Sequence, residues 1–174
     1  ISESVINGIF KSKLKFKKIY ISKRNARISK RLKKKFKKII VEKENQLILN
    51  NSDWIFLAVT PKVGEKIIKE LRFKSKHIIV SFISTIKLPR LKKLIKIKAN
   101  IVRAIPLPFI SLRKGPIPIY PPNKKVKFFF NKLGTVIETK DEKLSINFWA
   151  LSGMMASYYK SLSVLSDWLV KKGI

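Results

Sequence analysis

The sequence predicts an α/β fold, namely a Rossmann-like, doubly wound and mostly parallel sheet that is followed by the start of an all-helical domain. Three observations support this prediction. Residues 53–59 form a nearly unbroken apolar run that ends at Thr60-Pro61, where an amphipathic helical pattern begins. Short strand and helix patterns alternate through most of the chain, as they do in βαβ units. From Asp141 onward the pattern is helical only.

The predicted elements follow one another closely. Helical periodicity appears in residues 2–12, 25–36, 46–49, 63–71, 88–95 and 126–133, and strand patterns in residues 17–22, 39–41, 53–59, 77–82, 101–105 and 135–138. The run 53–59 is apolar on both faces, which predicts a central parallel strand. A proline-rich stretch holds one further strand, 117–120, which its prolines assign to a sheet edge. We expect ligands just past the carboxyl ends of the parallel strands.

Composition limits the possible functions. The chain has 174 residues, a formal charge of +30, 45% hydrophobic residues and no cysteine, which excludes disulfide and thiolate metal sites. No apolar stretch is long enough to predict a membrane span. The lysines are spread over every predicted helix, with the densest patch at residues 30–38, and are not gathered in a stripe with aromatic platforms. This favours a general compositional bias over specific nucleic-acid binding.

Isolated polar residues carry little catalytic signal. His77 precedes a buried strand beside Lys76, and we interpret it as an exposed residue at the strand start rather than a catalytic base. Asp141 and Glu142 are interpreted as the acidic N-terminus of a helix rather than a catalytic pair. Metal-ligand spacing is absent, so no metal site is predicted.

Five segments together resemble the pyrroline-5-carboxylate reductase family. In chain order they are Ile-Tyr-Ile-Ser at 19–22, Asp-Trp-Ile-Phe-Leu-Ala-Val-Thr-Pro-Lys at 53–62, Ile-Ile-Val-Ser-Phe-Ile-Ser at 78–84, Ile-Val-Arg-Ala-Ile-Pro at 101–106, and Ala-Leu-Ser-Gly at 150–153. The spacing between the segments is the specific part of the signal. The resemblance implies that residues 1–139 form a dinucleotide-binding domain without its first strand and phosphate loop. Residues 140–174 would begin a helical dimerisation domain.

The resemblance implies hydride transfer from NADPH to a cyclic imine, in proline biosynthesis and in the cytoplasm. It places the cofactor against residues that follow four strands: Ser22, Lys23, Arg24, Asn25, Ala58, Val59, Thr60, Pro61, Ser81, Ser84 and Pro106. The strand ending at Ser22 is not followed by an acidic residue that would bind a ribose 2′-hydroxyl, and two cations there suit a 2′-phosphate. NADP is therefore expected, and NAD stays open because two cations can fall there by chance in so basic a chain.

The chain departs from the family pattern around the expected site. Residues 105–109 read Ile-Pro-Leu-Pro-Phe where the family usually has Met-Pro-Asn-Thr-Pro, and residues 152–158 read Ser-Gly-Met-Met-Ala-Ser-Tyr instead of Ser-Gly-Ser-Gly-Pro-Ala-Tyr. Thr60 stands where the family usually has Lys. These differences leave the exact substrate open, and the residues do not identify a proton donor.

Two functions of different classes follow from the sequence. The first is an NADP-dependent reductase that acts on a small cyclic imine or a related molecule and forms a dimer or larger homo-oligomer through its C-terminal helices. The apolar stripe from Leu144 to Leu169 recurs at helical spacing and needs a covering partner. The alternative is a non-catalytic module that keeps the dinucleotide fold and binds polyanions through its basic surface.

Overall fold

The computed structural model describes the backbone of residues 1–174 and every side chain except those of residues 145, 146 and 149–152. Helices and strands alternate as the sequence predicts. The helices are α1 (Ser2–Lys11), α2 (Ala26–Lys35), α3 (Asn45–Asn50), α4 (Pro61–Glu70), α5 (Leu88–Ile95), α6 (Lys124–Phe130) and α7 (Glu142–Lys171), with a 3₁₀ turn at Pro108–Leu112. The strands are β1 (Ile19–Ser22), β2 (Ile39–Glu42), β3 (Trp54–Leu57), β4 (Ile78–Ser81), β5 (Asn100–Ala104), β6 (Pro116–Tyr120) and β7 (Thr135–Glu138).

The strands form two hydrogen-bonded groups. β1 pairs with β2 in parallel, and a second sheet has the order β3-β4-β5-β6-β7. Within the second sheet β3, β4 and β5 are parallel, β6 runs antiparallel to β5, and β7 is parallel to β6. The predicted α/β class with a mostly parallel sheet is confirmed.

Both faces of the second sheet are covered, which is why neighbouring residues within β4 and β5 are both apolar. Ile79 and Ile101 pack on one side with residues of α4 and α5, whereas Val80 and Val102 pack on the other with α1 and α6. Neighbouring residues of one strand therefore belong to different cores, as the two-residue period of a strand requires. Each fully buried aliphatic side chain contributes about 1.5–3 kcal/mol.

The prediction that residues 53–59 form a central strand is wrong in one respect. β3 is parallel, but its only strand partner in the described structure is β4, so it lies at the end of the five-stranded order. Its burial also alternates, because Ile55 and Leu57 are buried and Trp54 and Phe56 are half-buried. The two half-buried rings lie on the opposite face from Ile55 and Leu57, where both contact Phe129 of α6.

The prediction that the proline-rich strand is an edge strand is also wrong, since β6 lies between β5 and β7. Prolines are tolerated there because they still accept hydrogen bonds. The carbonyl of Pro118 accepts from the amide of Ile105 at 3.0 Å, and β5 and β6 pair through only two residue pairs. The sheet thus accommodates a strand with few donors by keeping the antiparallel ladder short.

Helix α1 packs against the 3₁₀ turn at its one internal glycine. A Cβ built on Gly8 would lie 2.5 Å from the carbonyl oxygen of Ile110, closer than two non-bonded atoms approach. Val5 and Ile9 on the same helix are buried in the core beneath it. This contact fixes α1 across one face of the sheet.

Helix α7 is a single helix of 30 residues whose side chains are mostly exposed. Asp141 caps it by accepting a hydrogen bond from the amide of Lys143 at 2.8 Å, as its acidic start predicts. Large apolar side chains remain uncovered on it, among them Met154, Leu165 and Trp168. Side chains 149–152, which include part of the segment that carries the resemblance, lie outside the described residues. No helix in the described residues has the length and apolarity to cross a bilayer.

His77 is fully buried, so the prediction of an exposed residue is wrong. Its Nδ1 accepts a hydrogen bond from the amide of Lys74 at 3.1 Å and thereby closes the turn before β4. Burial lowers the pKa of His77, and the charges of Lys74 and Lys76 lower it further. The imidazole is therefore a neutral structural group that replaces a backbone acceptor.

Because the folded pKa of His77 lies below its unfolded value of about 6.5, the unfolded chain binds this proton more readily. We expect the free energy of unfolding to fall as the pH drops from 7 to 5. His77→Asn keeps an acceptor for Lys74 and removes the titrating group, so its stability should depend less on pH. Urea unfolding at a series of pH values measures both, and His77 is the only histidine of the chain. Equal pH dependence in the two proteins would contradict this.

Candidate functional site

The carboxyl ends of β3, β4 and β5 meet at one edge of the sheet, because these three strands are parallel. Three groups of predicted cofactor residues follow these ends. Ala58–Pro61 lies after β3, Ser81 ends β4 and is followed by Ser84, and Pro106 lies two residues after β5. Ligands of open parallel sheets bind at such an edge.

The turn after β3 leads directly into α4. The carbonyl of Thr60 accepts hydrogen bonds from the amides of Val63 at 3.2 Å and Gly64 at 3.0 Å, and Thr60 has no side-chain cap bond. Pro61 is the first helical residue, as predicted, where its missing donor costs nothing. Because a Cβ on Gly64 would lie 3.2 Å from Cδ1 of Ile83, α4 packs tightly on the segment that follows β4.

The segment between β4 and α5 is held by its own polar groups. Ser81 is 1% exposed, and its Oγ accepts a hydrogen bond from the amide of Ile83 at 3.2 Å. The carbonyl of Ser84 accepts from Nη2 of Arg103 at 2.5 Å. Ser81 therefore shapes the turn after β4. Pro106, on the neighbouring segment, is buried.

The turn after β1 presents two cations to solvent. Lys23 and Arg24 are exposed, and neither forms an ion pair with a described residue. The amide of Arg24 donates to Oγ of Ser22 at 3.3 Å, and Oδ1 of Asn25 accepts from the amide of Ile28 at 3.1 Å, which caps α2. The backbone of this turn is thus fixed while both positive side chains stay available.

An apolar cavity of about 220 Å³ lies between β1 and β3. Helix α1 contributes Val5 and Ile6 to its wall, and α3 and α4 contribute Ile48 and Ile67. Three predicted cofactor residues, Ser22, Ala58 and Val59, line it, whereas the other eight do not. The two strands that border it thus bring together residues that are far apart in the sequence.

The cavity runs along the edges of both strands. All four residues of β1 line it, as do three successive residues of β3, Ile55–Leu57. Successive strand residues point to opposite faces, so a cavity that contacts all of them lies beside the strand and not above one face. The described partner of β1 is β2 and that of β3 is β4, on their other sides. The cavity therefore borders the edges of β1 and β3 that face away from β2 and β4, and residues of α1, α3 and α4 also line it.

A largely buried ion pair at the same sheet edge escaped the sequence interpretation. Nη1 of Arg103, on β5, contacts Oε1 of Glu142, at the start of α7, at 2.6 Å, and their side chains are 4% and 14% exposed. Glu142 was interpreted only as a helix-start acid. The sequence signal was the single arginine inside the otherwise apolar run 101–105. A strand with apolar residues on both faces has no solvated position for Arg103, so its charge needs a buried partner.

The remaining described residues form no metal site and only exposed ion pairs. The described residues contain no group of three His, Cys, Asp or Glu side chains that could hold a metal ion. The four other ion pairs of the described side chains have at least one partner more than a third exposed, and such pairs contribute little to stability. Apart from the Arg103–Glu142 pair, the site edge is thus built from apolar side chains, main-chain groups, the hydroxyls of Thr60, Ser81 and Ser84, and the cations of the β1 turn.

Comparison with known proteins shows a shared fold. Residues 1–85, just under half of the chain, match the family model described as NADP oxidoreductase coenzyme F420-dependent. Pyrroline-5-carboxylate reductase from Streptococcus pyogenes superposes with a TM-score of 0.80 at 20% identity, over 99% of this chain and 67% of that one. The Plasmodium falciparum enzyme, with NADP bound, gives 0.80 at 20% identity over 98% and 66%. An imine reductase from Myxococcus stipitatus, in complex with NADP+, gives 0.64 at 16% identity over 91% and 59%.

Compared by sequence with curated proteins, the chain matches none. It spans about two thirds of the length of the pyrroline-5-carboxylate reductases it superposes on. The resemblance first seen in five short segments extends to the fold, which this chain shares with the pyrroline-5-carboxylate reductases over nearly its whole length. The Rossmann-like architecture is common to this chain and to oxidoreductases whose structures hold NADP.

Proposed function

We propose that this chain is the larger part of an NADP-dependent reductase that transfers hydride from NADPH to a cyclic imine of the pyrroline-5-carboxylate type. The observation that supports this most is the convergence of three strand ends on one edge, beside an apolar cavity that borders the edges of β1 and β3. A mostly parallel sheet with its ligand edge so arranged is the architecture of dinucleotide enzymes. The 20% identity to pyrroline-5-carboxylate reductases supports the substrate class only indirectly.

We propose that the cavity between β1 and β3 takes a parallel strand that ends in a Gly-rich phosphate loop. The flanking edges need a partner for their backbone groups, and the apolar walls suit a strand that is apolar on both faces. A loop after that strand would reach the same edge as Ser22 and Ala58. Its amides, at a helix N-terminus, would hold the pyrophosphate of the dinucleotide.

The chain's own residues would then orient the cofactor. Ala58, Val59 and Thr60 would border the ribose and nicotinamide, since a small side chain at Ala58 lets a flat ring approach. Ser84 and Pro106 would close the nicotinamide side. The bound cofactor supplies the hydride, and the protein's part is to position the ring, bind the substrate and exclude water. We expect the enzyme to be cytoplasmic.

The reductase should prefer NADPH because Lys23 and Arg24 are exposed and unpaired at the end of β1. We expect a polypeptide that carries this chain with its completing strand and loop to oxidise NADPH in the presence of pyrroline-5-carboxylate. Arg24→Ala should reduce its preference for NADPH over NADH about tenfold or more, since a hydrogen bond to a charged group contributes roughly 1.5–3 kcal/mol. The measurement is kcat/KM for each cofactor.

Arg72→Ala is the matched control, because Arg72 is an exposed arginine before β4 and remote from the β1 turn in the sequence. It should leave the preference unchanged. Equal kcat/KM for NADPH and NADH in the unmutated protein would refute the NADP assignment. Tight NADPH binding without turnover of the imine would exclude pyrroline-5-carboxylate as the substrate. The departures from the family pattern at Leu107 and Met154 would then explain why the substrate differs.

We also propose that α7 forms an interface with a second copy of this chain. Exposed apolar side chains recur along the C-terminal half of α7. They form a continuous stripe, whereas isolated apolar residues are the ordinary case on a protein surface. Leu162, Leu165 and Leu169 recur at three- and four-residue spacing and are 44%, 57% and 38% exposed. A second α7 would cover such a stripe by the same contacts in both copies.

Sedimentation velocity should therefore show a dimer or a larger species. Leu165→Glu should shift the protein towards the monomer, because it places a charge in the centre of the stripe. Lys160→Glu, a charge change at another exposed residue of the same helix, should not. A monomer at high micromolar concentration in the unmutated protein would contradict the proposal.

The basic surface gives the second candidate, a non-catalytic polyanion-binding module, only weak support. The observation in its favour is the charge of +30 combined with exposed lysines near Trp54 and Phe128, where Lys124 and Lys125 line an open groove. Binding to DNA or RNA that depends steeply on salt, together with no affinity for NADPH in the completed polypeptide, would favour this candidate.

A further inference from the structure

Arg103 is a cation inside the sheet. It lies on β5 between the buried residues Val102 and Ala104, and its side chain is 4% exposed. Its β4 neighbour in register is Ser81, the last residue before the segment that borders the site. A charge in this position needs partners that stay with it, because solvation by water is lost.

The guanidinium joins two segments that are distant in sequence. Nη2 donates to the carbonyl oxygen of Ser84 at 2.5 Å, and Nη1 donates to Oε1 of Glu142 at 2.6 Å. The same carboxylate oxygen accepts the amide of Leu88, the first residue of α5, at 2.7 Å. This network therefore holds segment 82–88 at two points. Ser84 is bonded to β5, and Leu88 is bonded to the first residue of α7.

Stability alone is a poor explanation for this pair. Burying two charges costs desolvation, and well-packed apolar residues often replace such pairs without loss. Nε of Arg103 is also buried without a hydrogen-bond partner among the described residues. Apolar packing does not fix the orientation of a contact. A planar guanidinium does, because its hydrogen bonds hold two acceptors in a set position relative to each other.

We propose that Arg103 and Glu142 are positioning residues. They hold segment 82–88 in place beside the crevice and make its conformation depend on the docking of α7. The segment carries Ser84, so the nicotinamide side of the crevice is set by the position of a helix in the other half of the chain. The statement about nicotinamide rests on the proposed function, whereas the coupling between α7 and segment 82–88 does not.

The test is amide hydrogen exchange on the full chain, with a variant that removes the network and keeps the burial. Arg103→Met/Glu142→Leu replaces both charges by apolar side chains of similar volume. The amide of Leu88 should exchange about tenfold faster or more, which is the effect of losing a hydrogen bond to a charged group. The amides of Ile79 and Val80, inside β4, should be unchanged. The amide of Ile83 should change less than that of Leu88, because it bonds to Ser81 independently of the pair.

Arg90→Met is the matched control, because Arg90 forms an ion pair with Glu65 between α5 and α4 that is nearly half exposed. It should leave the exchange of Leu88 unchanged. If the double variant does not fold, Arg103→Lys keeps the charge but gives up the fork that joins Ser84 to Glu142. It should speed exchange at Leu88 and leave β4 unchanged. Exchange that rises equally at Leu88, Ile79 and Val80 would show that the ion pair only stabilises the fold, and it would overturn the proposal. Unchanged exchange at Leu88 would overturn it as well.

A kinetic measurement then addresses the reaction. In the completed polypeptide, Arg103→Met/Glu142→Leu should lower kcat with NADPH more than it raises KM for NADPH, since a displaced segment misplaces the ring rather than preventing its binding. An unchanged kcat would overturn the positioning role. Absence of turnover in the unmutated protein would instead count against the proposed function, and the exchange result would still decide the coupling.

Discussion

The structure depends most on the requirement that buried backbone groups find partners. β1 and β3 each have one neighbour in the described sheets, and an apolar cavity lies along their other edges. The backbone N–H and C=O groups along these two edges have no ladder partner among the described residues. Helices α1, α3 and α4 contribute residues to the wall of the same space. The strand that we propose for this space would give those groups partners and would join the two sheets.

This constraint relates the fold to the proposed chemistry. If a parallel strand joins β1 to β3, the sheet becomes continuous from β2 to β7, and its carboxyl edge runs from Ser22 past Ala58 to Pro106. A dinucleotide can lie along an edge of that length, with its phosphates at the new strand and its ends at β1 and β4. The Arg103–Glu142 pair then has a clear place, since it connects the nicotinamide end of this edge to α7.

The sequence predicts the helices and strands well wherever the apolar pattern is strong. β4 and β5 are recognisable because both faces of the sheet are covered, so Ile79 and Val80 are both apolar. β6 was assigned to an edge because its prolines cannot donate, yet a short antiparallel ladder needs mainly the acceptor of Pro118. His77 was assigned to the surface from its charged neighbours, although a neutral imidazole can replace a backbone acceptor in a buried turn.

The site was predicted in outline from strand ends and resemblance, and the parts that were missed depend on tertiary contacts. Ser22 and Ala58 could be placed at strand ends, but their joint position on one cavity depends on packing across two sheets. Arg103 and Glu142 are 39 residues apart, and only the docking of α7 on β5 and β6 brings them together. Sequence periodicity carries no signal for such a pair.

Amide hydrogen exchange at the two cavity edges tests the central claim most directly. The ladder bonds of β1 use the amides of Ile19 and Lys23, and those of β3 use the carbonyls of Asp53 and Leu57. Alternation therefore points the amides of Tyr20, Ser22 and Phe56, which all belong to residues that line the cavity, towards it. They should exchange rapidly in the 174-residue chain and become as protected as Ile79 when a preceding strand is attached. Full protection without that strand, or rapid exchange with it, would contradict the account.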